Sequence, residues 1–287
     1  MPRMTTLIIG GSGFLGAELI RHAQAAGHTT AATYATKPGD TAQSAWFHLD
    51  LRDAASLDAV MTEVRPNVII NASSGKSDWP VTAQGPIRLA MAAAKHGIRM
   101  VHVSSDAVFS GSRVHYDETS LPDPITPYGA AKAAAETGIL AVYPGAVIAR
   151  TSLIIGHGRS VHEHLVHELV AGIRDGALFT DDIRCPVHVA DLASALLELG
   201  ARDAVGIHHL AGSDALSRYE LGTLIARRDG LDVSRLPTGL RACNPLPGAL
   251  DVRLDSRATQ QALRTTLRGA RQFLQRSGMQ HADLVRL

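Results

Sequence analysis

The 287-residue sequence has only two cysteines, Cys185 and Cys243, far apart and in no C-x-x-C pair. That spacing excludes a disulfide framework or a cysteine-rich metal site and leaves two thiols packed in or near a core. Net charge is also scarce: a formal +1, with no basic stripe, offers nothing to a nucleic acid. The short Arg227–Arg228 pair reads as a solvated helix end. No run reaches the eighteen or so apolar residues that a membrane span requires, and there is neither a fixed-period repeat nor a low-complexity tract. The opening MPRMTTLIIGGSGFLG has no small-residue cleavage pattern, so it reads as a buried strand rather than a signal peptide, with a cytoplasmic protein as the expectation. What is present is ordinary for a globular α/β chain: 45% hydrophobic and 19% charged residues, with 26 glycines. The length allows one large domain or two smaller ones.

Strand-like and helix-like segments alternate through the first half. Residues 5–9 (TTLII) end at a glycine cluster, and 14–26 repeat apolar residues at helical spacing. Strands are then expected at 29–34, 45–49, 67–71, 100–104 and 146–150, with helices at 54–64, 83–96 and 128–142. Such a series builds a parallel sheet covered by helices on both faces, a Rossmann-type doubly wound α/β fold. The irregular, proline-containing stretch 109–127 falls where loops leaving the strand ends line a ligand crevice. Beyond about residue 155 the pattern loosens: helices are expected at 163–175, 191–199 and 217–228, a strand at 207–210 and a last amphipathic helix at 265–275. The expected division is a dinucleotide-binding domain over 1–155 and a smaller, mainly substrate-binding region over 156–287, with elements of the second able to return to the first.

Gly10-Gly11-Ser12-Gly13-Phe14-Leu15-Gly16 follows a strand and opens a helix, the context in which G-x-x-G-x-x-G carries meaning. Gly10 permits the sharp turn, Gly13 lets backbone amides approach a pyrophosphate, and Gly16 lets the helix pack closely; the helix N-terminus offers unpaired N–H groups to phosphate. Phe14 and Leu15 serve packing beside the cofactor. At the end of the second strand Tyr34 and Lys37 stand where an NAD site carries a carboxylate, and no acid appears before Asp40. A 2′-phosphate is therefore accommodated, NADP(H) is favoured, and NAD(H) is the alternative. Asp50 can accept from an adenine amino group while Leu51 covers the ring, and Asn71, Ala72 and Ser73 let the middle of the cofactor pass over the sheet. The GKS at 75–77 is no P-loop, since Ile70 stands where its first glycine belongs.

Pro127 suits a helix start, which puts Tyr128 and Lys132 on one face four residues apart. Ser105, at the end of the fifth strand, can face the same crevice. A tyrosine is protonated at neutral pH, and a neighbouring ammonium draws its pKa down, so this trio suits proton exchange with a carbonyl oxygen during hydride transfer. Histidines cluster at His157, His162, His164 and His167 without a metal-site spacing and read as solvated or substrate-facing. Arg184 is a candidate contact for phosphate or sugar.

These segments together resemble an extended short-chain dehydrogenase/reductase, and within it the dTDP-4-dehydrorhamnose reductase family. The carriers are GGSGFLG at 10–16, NASS at 71–74, VHVSSDAVFSG at 101–111, Tyr116-Asp117-Glu118 through Pro127-Tyr128-Gly129 to Lys132 and Glu136, RTSLIIG at 150–156, CPVHVADLA at 185–193 and LDSRAT at 254–259. The resemblance implies NAD(P)H-dependent reduction of the 4-keto group of a nucleotide-linked deoxysugar, with Ser105, where threonine is usual, Tyr128 and Lys132 as the triad, and Asp106 and Ala107 beside the sugar. Ala107 replaces the family's usual tyrosine, and the loop SGKSDWPVTAQG after Asn71 and its neighbours is short and lacks an acidic, tyrosine-containing segment, so the sugar itself stays open. The alternatives are a sugar-nucleotide epimerase or dehydratase, and a non-catalytic NADP-binding regulatory subunit like those attached to methionine adenosyltransferase. A homodimer is permitted by the sequence but not required.

Overall fold

The computed structural model describes residues 4–40 and 44–275. Seven strands form one parallel sheet: β1 (Thr5–Ile9), β2 (Thr29–Tyr34), β3 (Ala45–His48), β4 (Val68–Asn71), β5 (Arg99–Ser105), β6 (Val147–Thr151) and β7 (Gly206–Leu210), in the order β7-β6-β5-β4-β1-β2-β3. The order reverses between β1 and β4, and the carboxyl ends on either side of that point form the crevice in which doubly wound sheets hold ligands.

Alternation along the strands sends successive side chains to opposite faces. Ile8, Ile70, Val101 and Ala149 pack with Leu15, Leu19 and Ile20 of α1 (Phe14–Ala25). Leu7, Ile69, Met100 and Ile148 pack on the other face with three helices, α2 (Ala54–Val64), α3 (Gly85–His96) and α4 (Pro127–Val142). A third core gathers α5 (Val161–Ala171) and α7 (Arg218–Asp229) around Leu178 and Leu216, while α6 (Val189–Gly200) closes the α1 face of the sheet through Leu192 and Leu196. The irregular stretch expected at 109–127 contains one short strand, Val114–Tyr116, paired in parallel with Val252–Leu254.

Two local differences from the expected pattern have clear causes. The third helix does not begin at residue 83: Pro80–Gln84 form a π turn, and the α-helix proper starts at Gly85, where a Cβ would come within 2.7 Å of Leu51. The expected helix at 265–275 is reduced to α9 (Ala270–Phe273), preceded by the short α8 (Arg257–Ala262). Residues 264–268 are instead drawn out along α6, because the Arg264 and Thr265 N–H groups donate to Glu198 and the Arg268 N–H to Asp191. Carboxylates on a neighbouring helix have taken the donors that an intrahelical ladder would use.

Candidate active site

The glycine turn joins β1 to α1. Gly10 sits at φ +78°, and a Cβ there would lie 2.9 Å from the Ser73 Cα. The turn therefore presses against the end of β4, and only glycine tolerates both the left-handed backbone and the approach. At Gly16 a Cβ would meet the Gly10 carbonyl and come 2.7 Å from the Gly11 Cα. Gly13 is the N-cap of α1 and no side chain caps it, so the amides of the first turn face the crevice unspent. An uncapped helix start behind a turn that only glycine can make fits a dinucleotide pyrophosphate. Thr33 steadies the turn by accepting from the Gly10 N–H at 3.1 Å.

The other expected cofactor contacts are placed unevenly. Lys37 is exposed beyond β2, and Tyr34 is half-buried with its ring edge-on to Trp46 and His48. Asp50 accepts from the Arg52 N–H at 2.9 Å and pairs with its guanidinium, and these contacts hold its carboxyl below the usual range. Leu51 is buried against α3. Ala72 and Ser73 are half-buried beside the turn, whereas Asn71 is fully buried: its Oδ1 accepts from the Ser73 N–H and O–H, and its Nδ2 faces His102 Nδ1 at 3.1 Å.

Tyr128 is set by three local devices. Thr126 caps α4 by accepting from the Gly129 N–H at 3.0 Å, Pro127 fills the first helical position, and Gly129 has no Cβ to collide with the Ala107 carbonyl. The start of α4 thus lies directly on the turn that follows Ser105. The Ser105 and Ser74 side chains favour ionisation of the Tyr128 phenol, but burial prevails, with the Asp106 charge adding to it, and pushes the phenol above its usual value. The expected lowering by Lys132 is thus not the net result: desolvation of the phenolate outweighs the hydroxyl contacts. Lys132 is buried, donates to the Val103 carbonyl at 2.9 Å and is drawn down to about 8, chiefly by burial. Ser105 Oγ accepts from the Ala107 N–H and donates to Asp106 Oδ1, while Asp106 Oδ2 accepts from Ser152 at 2.6 Å.

Two cavities meet at Ala107, Tyr128, His162, Arg184 and Arg218. The first, about 460 Å³, brings Phe14 and Leu15 of the glycine helix to the same space as Ser105, Asp106 and Tyr128. The second, about 540 Å³, runs on between Phe109, Leu178 and Phe179 toward Arg241. Asp182 stands between two arginines, 2.8 Å from Arg184 and 3.2 Å from Arg218, and Arg184 also lies 3.7 Å from Asp106. Arg184 further donates to the Ala249 carbonyl at 2.8 Å. Arg218 reaches His162 Nδ1 at 3.4 Å, and burial draws that imidazole down to about 3, keeping it neutral. Of the other histidines, His167 pairs with Asp229 and His157 with Glu18. Among the described residues no group of three His, Cys, Asp or Glu side chains could hold a metal ion.

Sequence reasoning overlooked Ser74, Ser152, Asp182 and Arg218, whereas His162 was among the histidines expected to be solvated or to face the substrate and lines both cavities. Ser74 and Ser152 sit inside motifs already noticed, NASS and RTS, where their position after a strand end was the available signal. Nothing in spacing announces the Asp182–Arg218 pair.

A Rossmann-type parallel sheet with a glycine turn, and a tyrosine and lysine one helical turn apart over its carboxyl edge, define the short-chain dehydrogenase/reductase class of oxidoreductases. Within that class the chain belongs to the RmlD substrate binding domain family, whose model matches residues 4–279. It is 27% identical to methionine adenosyltransferase 2 subunit beta of Xenopus laevis, over 82% of this chain and 75% of that protein. It is 29% identical to dTDP-4-dehydrorhamnose reductase of Mycobacterium tuberculosis, over 84% and 81%. Among solved structures, a hypothetical dTDP-4-dehydrorhamnose reductase from Sulfolobus tokodaii superposes with a TM-score of 0.79 at 29% identity, covering 92% of this chain and 97% of the other. The same fold, at 21% identity, occurs in dTDP-4-dehydrorhamnose reductase of Bacillus anthracis in complex with NADP (TM-score 0.79, 95% and 97% covered). It also occurs in Bordetella bronchiseptica WbmG in complex with NAD (TM-score 0.78, 93% and 89% covered).

Proposed function

We propose that the chain reduces the 4-keto group of a nucleotide-linked deoxysugar, with NADPH favoured over NADH. The observation that carries this reading is the shared cavity: the glycine helix, through Phe14 and Leu15, and the acid-base group Tyr128 face one space. Residues 1–155 are assigned to the cofactor and 156–287 mainly to the substrate; residues 1–3, 41–43 and 276–287 of these regions lie outside the described residues. The cytoplasm is the proposed location; no helix among the described residues is long and apolar enough to cross a membrane.

Gly10, Gly13 and Gly16 would hold the pyrophosphate, Asp50 and Leu51 the adenine, and Asn71, Ala72 and Ser73 the passage over the sheet. When bound, the reduced dinucleotide supplies hydride to the carbonyl carbon. The Tyr128 hydroxyl donates its proton to the carbonyl oxygen as negative charge develops there, and a phenol held above its usual pKa is fully protonated for that task. Ser105 accepts from the Ala107 N–H, and its O–H can swing from Asp106 to the same oxygen. Lys132 has three donors and uses one on Val103, leaving two for the ribose hydroxyls and the phenol oxygen. Asp106 and Arg184 line the sugar's side of the cavity, and Ala107 leaves room there. The NADP preference is supported by Lys37 and by the absence of an acid at the end of β2.

The test is to mix purified protein with NADPH and a panel of dTDP- and UDP-linked 4-keto-6-deoxyhexoses. Loss of the reduced-cofactor absorbance with at least one of them is expected, at a lower KM for NADPH than for NADH. The likeness to the methionine adenosyltransferase subunits favours a second, regulatory reading. No turnover across the panel with intact cofactor binding would decide for it.

A further inference from the structure

Met100, His102 and Ser104 alternate onto the face of β5 that α4 covers, and behind Lys132 this interface becomes a buried polar layer. Glu136, one turn beyond Lys132 on α4, is buried at 2% exposure and accepts from Arg150 of β6 at 2.8 Å and from the Ser104 hydroxyl at 2.5 Å. Arg150, fully buried, also donates to the Ser120 carbonyl at 3.1 Å and lies over the Phe109 ring, which stacks on Tyr116. One carboxylate therefore joins the helix carrying Tyr128 and Lys132, the strand end carrying Ser105, and, through Arg150, the loop before α4.

We infer that Glu136 is a positioning residue for the Tyr128–Lys132 pair: it is the counter-charge of the buried Lys132 ammonium and the tie that holds α4 on the end of β5. The inference rests on the roles given above to Tyr128 and Lys132. The groups facing Lys132 leave this duty to Glu136. From β5 comes His102, kept neutral by burial and by the lysine's own charge. Its tautomer follows from Asn71: Oδ1 is taken by Ser73, so Nδ2 donates to His102 Nδ1 and the ring proton sits on Nε2. Arg150 from β6 stands behind Glu136 and is cationic; Tyr128, one turn back, is a neutral phenol; Asp106 acts on Tyr128. Glu136 is the group that raises the lysine against its burial.

The sign follows. Burial favours the neutral amine and Glu136 favours the ammonium, so loss of the carboxylate charge moves the lysine's midpoint down, and ketone reduction fades at a lower pH as the ammonium is lost. The chain has four lysines, Lys37, Lys76, Lys95 and Lys132, so 13C-lysine labelling gives a spectrum simple enough to titrate Lys132 directly, without cofactor or turnover. In the wild-type protein its midpoint is expected at about 8. Glu136→Gln is expected to lower it by about one unit or more, with the alkaline limb of kcat moving in step, whereas Glu136→Asp keeps the charge and the midpoint. Should Glu136→Gln unfold because Arg150 is stranded, the double variant Glu136→Gln/Arg150→Gln removes the stranded guanidinium together with its partner and is still expected to titrate below wild type. A lower melting temperature with an unmoved Lys132 midpoint and limb would reduce Glu136 to a structural residue and overturn the inference. A wild-type protein without turnover would fail the functional reading instead, and the lysine titration would still decide this one.

Discussion

The two walls of the crevice are built in opposite ways. The wall proposed for the cofactor is local: Gly10, Gly13 and Gly16 lie within seven residues, and it is formed by backbone conformation and backbone amides. The wall proposed for the substrate is assembled from residues as distant as Ala107, His162, Asp182, Arg218 and Arg241, and is held by charged side chains paired with one another. The first construction suits a ligand part common to many enzymes, because an amide cradle tolerates no variation. The second can change one side chain at a time, as Ala107 illustrates, and is where specificity for one sugar can drift without disturbing hydride chemistry.

Substitutions can break that contrast, and the largest effect is expected where the two walls meet. Tyr128→Phe removes the proton donor while leaving the ring, so kcat is expected to fall by about 10²–10⁴-fold, with cofactor affinity, followed by fluorescence titration, largely kept. A matching loss of cofactor binding would show that Tyr128 serves the wall rather than the reaction. Next comes Gly16→Ala on the cofactor wall. The added methyl has no room beside the Gly10 carbonyl, so a stability loss of about 1–3 kcal/mol in denaturant unfolding is expected, together with weaker cofactor binding. Unchanged binding would mean that the turn is not the cradle. The smallest effect belongs to the substrate wall: Arg218→Met leaves Asp182 its contact with Arg184. The KM for the sugar nucleotide is expected to rise about tenfold, on the order of one lost charge-assisted contact, with the cofactor Kd unmoved; a cofactor effect instead would erase the distinction between the walls.

The same contrast explains what was legible in the sequence. Strand-helix alternation and the glycine turn are encoded by neighbours, and β1 to β6 and α1 to α4 lie within a few residues of where periodicity puts them. That Tyr128 and Ser105 would line one cavity, with Lys132 one turn along the same helix, was legible because α4 and the end of β5 are rigid frames with fixed side-chain directions. Glu198 and Asp191 were not legible as the groups that would stretch residues 264–268, since that competition is settled only when α6 docks. For the same reason the balance on Tyr128 was misjudged. Spacing shows the ammonium, but the extent of burial, which prevails, is a property of the folded site.

Hydride transfer to one carbon is the claim on which both walls depend, and labelling tests it directly. NADPH carrying deuterium at the transferable position of its nicotinamide, incubated with the protein and a 4-keto-6-deoxyhexose nucleotide that it turns over, is expected to leave one deuterium on C4 of the product sugar, read by mass spectrometry and proton NMR. A sugar product without deuterium at C4, formed with no net cofactor consumption, would contradict the account.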